Sequence, residues 1–246
     1  MHFTFRIIVL GLFMGIHIGG LEAQKEPEAT EVWEPEPRVV HTGLIHAPPS
    51  DAIVLFDGTS LKHWQRRDEK GEAEWTLQDG YMTVKAGTGD IKTKQSFGDI
   101  QLHLEFRTPA KIEGKGQGRG NSGVFFQERY EVQILDNYQN RTYSNGQCAS
   151  VYKQHIPLVN ACKAPGEWQT YDIIFTAPRF NKDGIKVSSG YFTVIHNGVL
   201  VQNHVEIKGT TEYIGQPKNM AHGKGAIILQ DHSNPLSYRN IWVREL

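Results

Sequence analysis

Ile100, Leu102, Leu104 and Phe106 alternate with Gln101, His103, Glu105 and Arg107. A period of two sends successive side chains to opposite faces, so this segment is expected as a strand with one face in a core and a polar second face. The same rhythm recurs along the chain. Val124 and Phe126 carry it next, and then Val132 and Ile134 alternate with Glu131 and Gln133. Residues 168–176 form a further apolar segment, with Pro178 beyond its end. Residues 191–195 and 199–205 flank Asn197-Gly198, the dipeptide that suits a type I′ hairpin turn. Residues 53–56, stopped by Asp57-Gly58, open the series, and 226–230 and 238–243 close it. Beyond residue 50 no stretch carries a helical stripe over three turns, and no repeat of 20–50 residues is visible. The 25 glycines and 11 prolines agree with many short connections. The expectation is an all-β, jelly-roll sandwich of two antiparallel sheets, one of which can present a polar concave face.

The 246 residues are organised in three parts. Met1 to Ala23 reads as a signal peptide, with Arg6 before a dozen apolar residues that are too few to span a bilayer, and the small residue Ala23 at the cut. No cysteine follows the apolar run, so a lipid anchor on cysteine is not expected. Residues 24–50 are rich in proline and glutamate and read as a linker or arm, and 51–246 as the folded domain. A secreted or periplasmic protein follows, with no stable membrane insertion after cleavage. Lys plus Arg is 26 and Asp plus Glu 27, a net charge of −1, so the broad basic field that nucleic acid requires is missing.

Chemistry-bearing residues cluster in two places. Glu131 and Gln133 share a strand face, and Asp136 can join them if one bulge turns the chain. Two carboxyls brought together this way suit general acid–base work; the competing reading leaves Glu131 solvated and uses Asp136 to cap the turn at Asn137-Tyr138. Near the C-terminus His232 is a candidate proton carrier or metal ligand and Arg239 a candidate oxyanion partner, unless both belong to an ordinary turn between strands. The 11 histidines include no His-Glu-x-x-His zinc motif, and a Gly-x-Ser-x-Gly elbow is absent. The Gly-rich basic segment 111–120 reads as a mobile loop and lacks the Gly-Lys-Ser/Thr ending of a phosphate loop. Cys148 and Cys162, the only two cysteines, are either a disulfide closing a loop of about 15 residues, worth about 3 kcal/mol, or two buried thiols.

Several motifs together resemble the 3-keto-disaccharide hydrolase family. They are LFDG at 55–58 with Trp64, EWTLQDGYM at 74–82, FGDIQLHLEFR at 97–107, NSGVFF at 121–126 and YEVQILDNY at 130–138. PLVNA at 157–161, the segments 165–180 and 196–207, and the C-terminal LQDHSNPLSYRNIWVREL complete the resemblance, which spans nearly all of 53–246. Cys162 departs from it, standing where a small residue such as serine is expected after PLVNA, and that departure favours pairing with Cys148.

The resemblance implies a concanavalin-like fold and glycosides oxidised to a ketone at C3 as substrates. A C3 ketone acidifies the C2 hydrogen; its removal gives an enolate, the C1 glycosidic oxygen leaves by β-elimination, and water adds to the enone. With the resemblance, Glu131, Asp136 and His232 are the expected catalytic residues, and Gln133, Asn160, Arg239, Asn121 and Tyr138 the expected substrate contacts. No cofactor is certain, although a divalent cation could stabilise the enolate in place of Arg239. A classical glucanase-type hydrolase and a non-catalytic sugar-binding module are the alternatives. Gln133 weighs against the first, because that motif carries an acid between its two glutamates.

Overall fold

The long alternating segments form the long strands. In the computed structural model Ile100–Arg107, Gln169–Thr176, Gly190–His196, Val199–Ile207 and Ser237–Glu245 are the backbone of one antiparallel sheet. The structure describes residues 27–44 and 47–246. The expected signal peptide, residues 1–23, lies outside the described residues. The chain separates into two units, Met1–Val39 and Val40–Leu246, and every strand belongs to the second. Among the described residues no helix is long and apolar enough to cross a membrane.

The larger sheet has eight strands. Across it lie Val199–Ile207, Gly190–His196, Gln169–Thr176, Ile100–Arg107, Ser237–Glu245, Tyr81–Thr83 and Thr76–Gln78, and Ile53–Phe56 also pairs with Ser237–Glu245. The smaller sheet has five strands in the order Trp64–Arg66, Ile91–Thr93, Ile228–Leu229, Ser122–Phe126 and Tyr130–Ile134. Every pairing in both sheets is antiparallel. The all-β sandwich of two antiparallel sheets is therefore what the chain adopts.

Apolar positions of both sheets meet in one core. Phe126 of the smaller sheet packs against Phe175 and Phe192 of the larger, with ring centroids 5.0 and 4.9 Å apart. All three rings are fully buried, and burying such a side chain contributes about 1.5–3 kcal/mol. The LFDG motif closes one corner. Trp64 Nε1 donates to the Leu55 carbonyl (2.9 Å), Asp57 accepts from the Thr59 backbone and hydroxyl, and Gly58 at φ +91° lies so close to Gly80 that a Cβ would come within 2.7 Å of its carbonyl oxygen. At the hairpin, Asn197 and Gly198 have φ of 52° and 79°, the two positive values a type I′ turn needs.

Two sequence expectations change. The second face of Ile100–Arg107 is polar but not solvated: His103 and Glu105 are 4% and 6% exposed. His103 Nδ1 lies 2.7 Å from Asp172 Oδ1 and its ring stacks on Trp242, while Glu105 accepts from Arg239 Nε (2.6 Å) and Asn240 Nδ2 (3.0 Å). Segment 111–120 is also tied down. Gly116 exchanges hydrogen bonds with the Asn140 side chain, and Arg119 is buried against Asp136.

Candidate active site

On the five-stranded sheet the pairing aligns Gln65, Lys92, Ile228, Phe125 and Glu131 in one cross-strand row. The apolar neighbours Val124 and Val132 turn into the sandwich, so Phe125 and Glu131 face the other way, as the two-residue period requires. Here a cleft of about 670 Å³ opens, with Glu131, Gln133, Asn121 and His232 among its lining residues. Tyr130–Ile134 is the last strand of its sheet, and a returning segment satisfies its free edge. Ala149 N donates to the Gln133 carbonyl (2.9 Å), Gln133 N to the Ser150 carbonyl (3.0 Å) and Tyr152 N to the Glu131 carbonyl (3.1 Å). That segment brings Tyr143, Tyr152 and Lys153 into the cleft wall.

Glu131 is 5% exposed. Desolvation by burial, reinforced by the negative charge of nearby Asp90, pushes its carboxyl up to about 8. Glycine at 123 makes its position possible, because a Cβ there would stand 2.4 Å from Glu131 Oε1. The Gln133 amide satisfies its surroundings with its nitrogen donating to the Ser122 carbonyl (2.9 Å) and Glu131 Oε1 (3.0 Å). Asn121 is held by Nδ2 donating to the Gln117 carbonyl and by its backbone N–H donating to Asn234 Oδ1. His232 is exposed at the cleft in a turn secured by Asp231, which accepts from the backbone N–H groups of Gly87, Gly89 and Ser233.

Four residues singled out from the sequence stand outside this lining. Asp136 is 3% exposed, accepts from Arg119 Nε (2.7 Å) and caps the following turn by accepting from Tyr138 N (3.1 Å). Tyr138 is partly exposed, with its carbonyl accepting from Arg119. Asn160 clamps its own loop, donating to the Asn137 carbonyl and accepting from Cys162 N. Arg239 belongs to the larger sheet, paired with Glu105 and lying 4.2 Å over the Trp168 ring. Cys148 and Cys162 are free thiols, so the expected bridge is not formed.

The sequence pattern did not single out Lys153 and its tyrosines. Lys153 Nζ lies 4.5 Å from the Tyr213 ring centroid, within 6 Å of the Tyr143 and Tyr152 rings, and donates to the Tyr213 carbonyl. The hydroxyls of Tyr143 and Tyr152 are 2.5 Å apart, and burial raises both phenols above their ordinary range. The segment that carries them has no periodicity, so nothing in the sequence marks them as neighbours of Glu131. The cleft thus combines a buried carboxyl, an accessible imidazole, a cation and amide donors, a set able to move a proton and to stabilise a developing oxyanion.

A β-sandwich with such a polar cleft has the architecture of a carbohydrate-active protein of the glycosyl hydrolase type. Comparison with known proteins narrows this: the chain belongs to the family of 3-keto-alpha-glucoside-1,2-lyase-like domains, which matches residues 51–244. A solved structure from Parabacteroides distasonis described as a glycosyl hydrolase is 53% identical, with a TM-score of 0.86 over 90% of this chain and 97% of that one. Two further structures from that organism, described in the same terms, share the fold at 18% and 23% identity. Their TM-scores are 0.56 and 0.55, over 79% of this chain and 94% and 99% of theirs. No curated protein matches the chain.

Proposed function

We propose that the cleft cleaves 3-keto-glycosides by elimination and hydration, with Glu131 as the base at C2. The observation that carries this reading is the state of the carboxyls. Among the described residues lining the cleft, Glu131 is the only carboxylate. A retaining glycosidase needs a second carboxyl about 5–5.5 Å away, and an inverting one about 6.5–9.5 Å away. Asp136, the partner expected from the sequence, is instead engaged with Arg119. A 3-keto substrate removes the need for a second carboxyl, because its ketone makes C2–H acidic enough for one base.

Glu131 suits that task. A carboxyl titrating near 8 is a stronger base than an ordinary one, and it is still ionised in a useful fraction at neutral pH. The carboxylate takes the C2 proton, and the electron pair moves onto the C3 oxygen as an enolate. Lys153 supplies the positive charge for that oxygen, the part that the sequence pattern assigned to Arg239. The enolate pair returns to expel the C1 oxygen, which takes a proton from His232 or from the Glu131 carboxylic acid. Water then adds at C1 and a proton at C2, so the net reaction is hydrolysis. Gln133 and Asn121 hold hydroxyl groups of the sugar.

The test offers purified protein an ordinary disaccharide and its 3-keto form. Cleavage of the keto form alone is expected. Cleavage of both would assign a classical hydrolase, and binding without cleavage a sugar-binding module; either overturns the proposal. The apolar run behind Arg6 and the small residue Ala23 support the further proposal that the protein is exported and loses residues 1–23. N-terminal sequencing of protein recovered from its host should begin at Gln24, and an intact Met1 would count against export.

A further inference from the structure

The stretch from Leu135 to Trp168 contains no strand and only one short 3-10 turn, Ser144–Gly146. Even so, it supplies Tyr143, Tyr152 and Lys153 to the cleft wall. A connection this long without regular structure needs something else to hold its shape. Beneath it three side chains converge. Cys148 Sγ, Cys162 Sγ and one ring nitrogen of His196 lie within 4.8 Å of one another. The two cysteines belong to the irregular stretch, and His196 ends the strand Gly190–His196 of the larger sheet. Cys148 and His196 are 3% and 1% exposed, whereas Cys162 is only partly buried and gives a route in from solvent.

We propose that Cys148, Cys162 and His196 form a structural zinc site that fastens the cleft-wall segment to the larger sheet. Tetrahedral zinc, with bonds of about 2.3 Å to sulfur and 2.0 Å to nitrogen, holds its ligand atoms about 3.5–3.8 Å apart, which small side-chain rotations reach from the present spacing. The histidine is prepared as a ligand. Gln169 Oε1 accepts from Lys163 N and, as a carbonyl oxygen, cannot donate, so His196 Nε2, 2.9 Å away, is its N–H donor. In the neutral imidazole that a metal binds, a proton on Nε2 leaves the lone pair on Nδ1. The hydrogen bond to Gln169 fixes the tautomer, as the outer partner of a metal-bound histidine does. Tyr171 lies beside the cluster: its hydroxyl donates to the Gln133 carbonyl and is 2.9 Å from Cys148 Sγ.

Charge selects the ion. Two thiols and an imidazole favour zinc or copper(I). On binding, both thiol protons pass to solvent; two thiolates with Zn²⁺ then form a neutral unit, whereas copper(I) would leave one buried negative charge unbalanced.

The test uses the full chain, kept reduced, stripped with a chelator and titrated with Co²⁺ as a spectroscopic probe. A thiolate-to-cobalt charge-transfer band should saturate at one equivalent and disappear when Zn²⁺ is added. Zn²⁺ should also raise Tm. Cys162→Ser and His196→Gln should each weaken Co²⁺ binding at least about tenfold. Cys162→Ser changes a partly exposed site by one atom, so it decides the matter if His196→Gln does not fold. No charge-transfer band, undiminished affinity in Cys162→Ser, or, in a separate sample isolated without reductant, sulfurs that react with a thiol reagent only after reduction would each overturn the proposal, the last in favour of a disulfide.

Discussion

Glu131 combines two properties that water would keep apart: it is ionisable, and it is almost fully buried. Its replacement by glutamine keeps shape and hydrogen bonding but removes the base. Turnover of a 3-keto substrate by Glu131→Gln should fall about 10²–10⁴-fold, or about 3–5 kcal/mol of barrier, with little change in binding. Retention of more than roughly a tenth of wild-type turnover would pass the role of base to His232. For wild type, kcat/KM should rise as pH climbs through about 8, because only the ionised carboxyl accepts the proton. Stability should move the other way. A folded-state value raised from 4.5 to about 8 means that the folded protein holds the proton more tightly than the unfolded chain. The stabilisation is fully present below about pH 4.5 and is lost as pH rises through about 8, at about 1.4 kcal/mol per unit. Thermal melts at pH 5 and pH 9 should therefore show Glu131→Gln gaining on wild type at the higher pH.

At the scale of elements, two glycines test how strands place the site. Gly123→Ala would put a methyl where the Glu131 carboxylate lies, within 2.4 Å of Oε1. The clash falls on the tip of a side chain, so the fold should persist with a melting point near wild type while activity drops by about tenfold or more. Gly198→Ala meets no atom within 4 Å and pays only for its φ of 79°. A loss of about 1 kcal/mol, or about 2–4 °C in Tm, with unchanged kcat is expected from calorimetry and steady-state assays. Sequence periodicity captured the long strands because five or more alternating residues share one environment. It could not capture Trp64–Arg66, Thr76–Gln78, Tyr81–Thr83 or Ile91–Thr93, whose three residues are too few to show a period. The same reasoning separates the site residues. Glu131 and Gln133 were legible because a regular strand fixes their common face. Asp136 lies beyond the strand end, where the chain turns, and there its carboxylate serves Arg119 and the turn. Lys153 and its tyrosines reach the cleft through an aperiodic connection, and only the folded chain brings them to Glu131.

At the scale of the molecule, one layer works and the other supports it. The cleft opens on the smaller sheet, while the larger sheet covers the opposite side of the core. Phe126 joins the layers from the strand before the one that carries Glu131, touching Phe175 and Phe192. Phe126→Ala should cost about 3–5 kcal/mol and lower Tm by on the order of 10 °C. Denaturant titration should show the same loss of stability, and both sheets should unfold together if the core is shared.

The strand that carries Glu131 is the last of its sheet, and the cleft wall beside it is contributed by an irregular connection rather than by a neighbouring strand. Such an arrangement separates inheritance of chemistry from inheritance of taste. Descendants of one ancestor can lengthen, shorten or rewrite the connection between Leu135 and Trp168 and so meet new carbohydrates, while the carboxyl and the layers behind it pass on untouched. Diversity among relatives should accordingly collect along that margin of the sandwich, and an engineer seeking altered substrate preference would begin there.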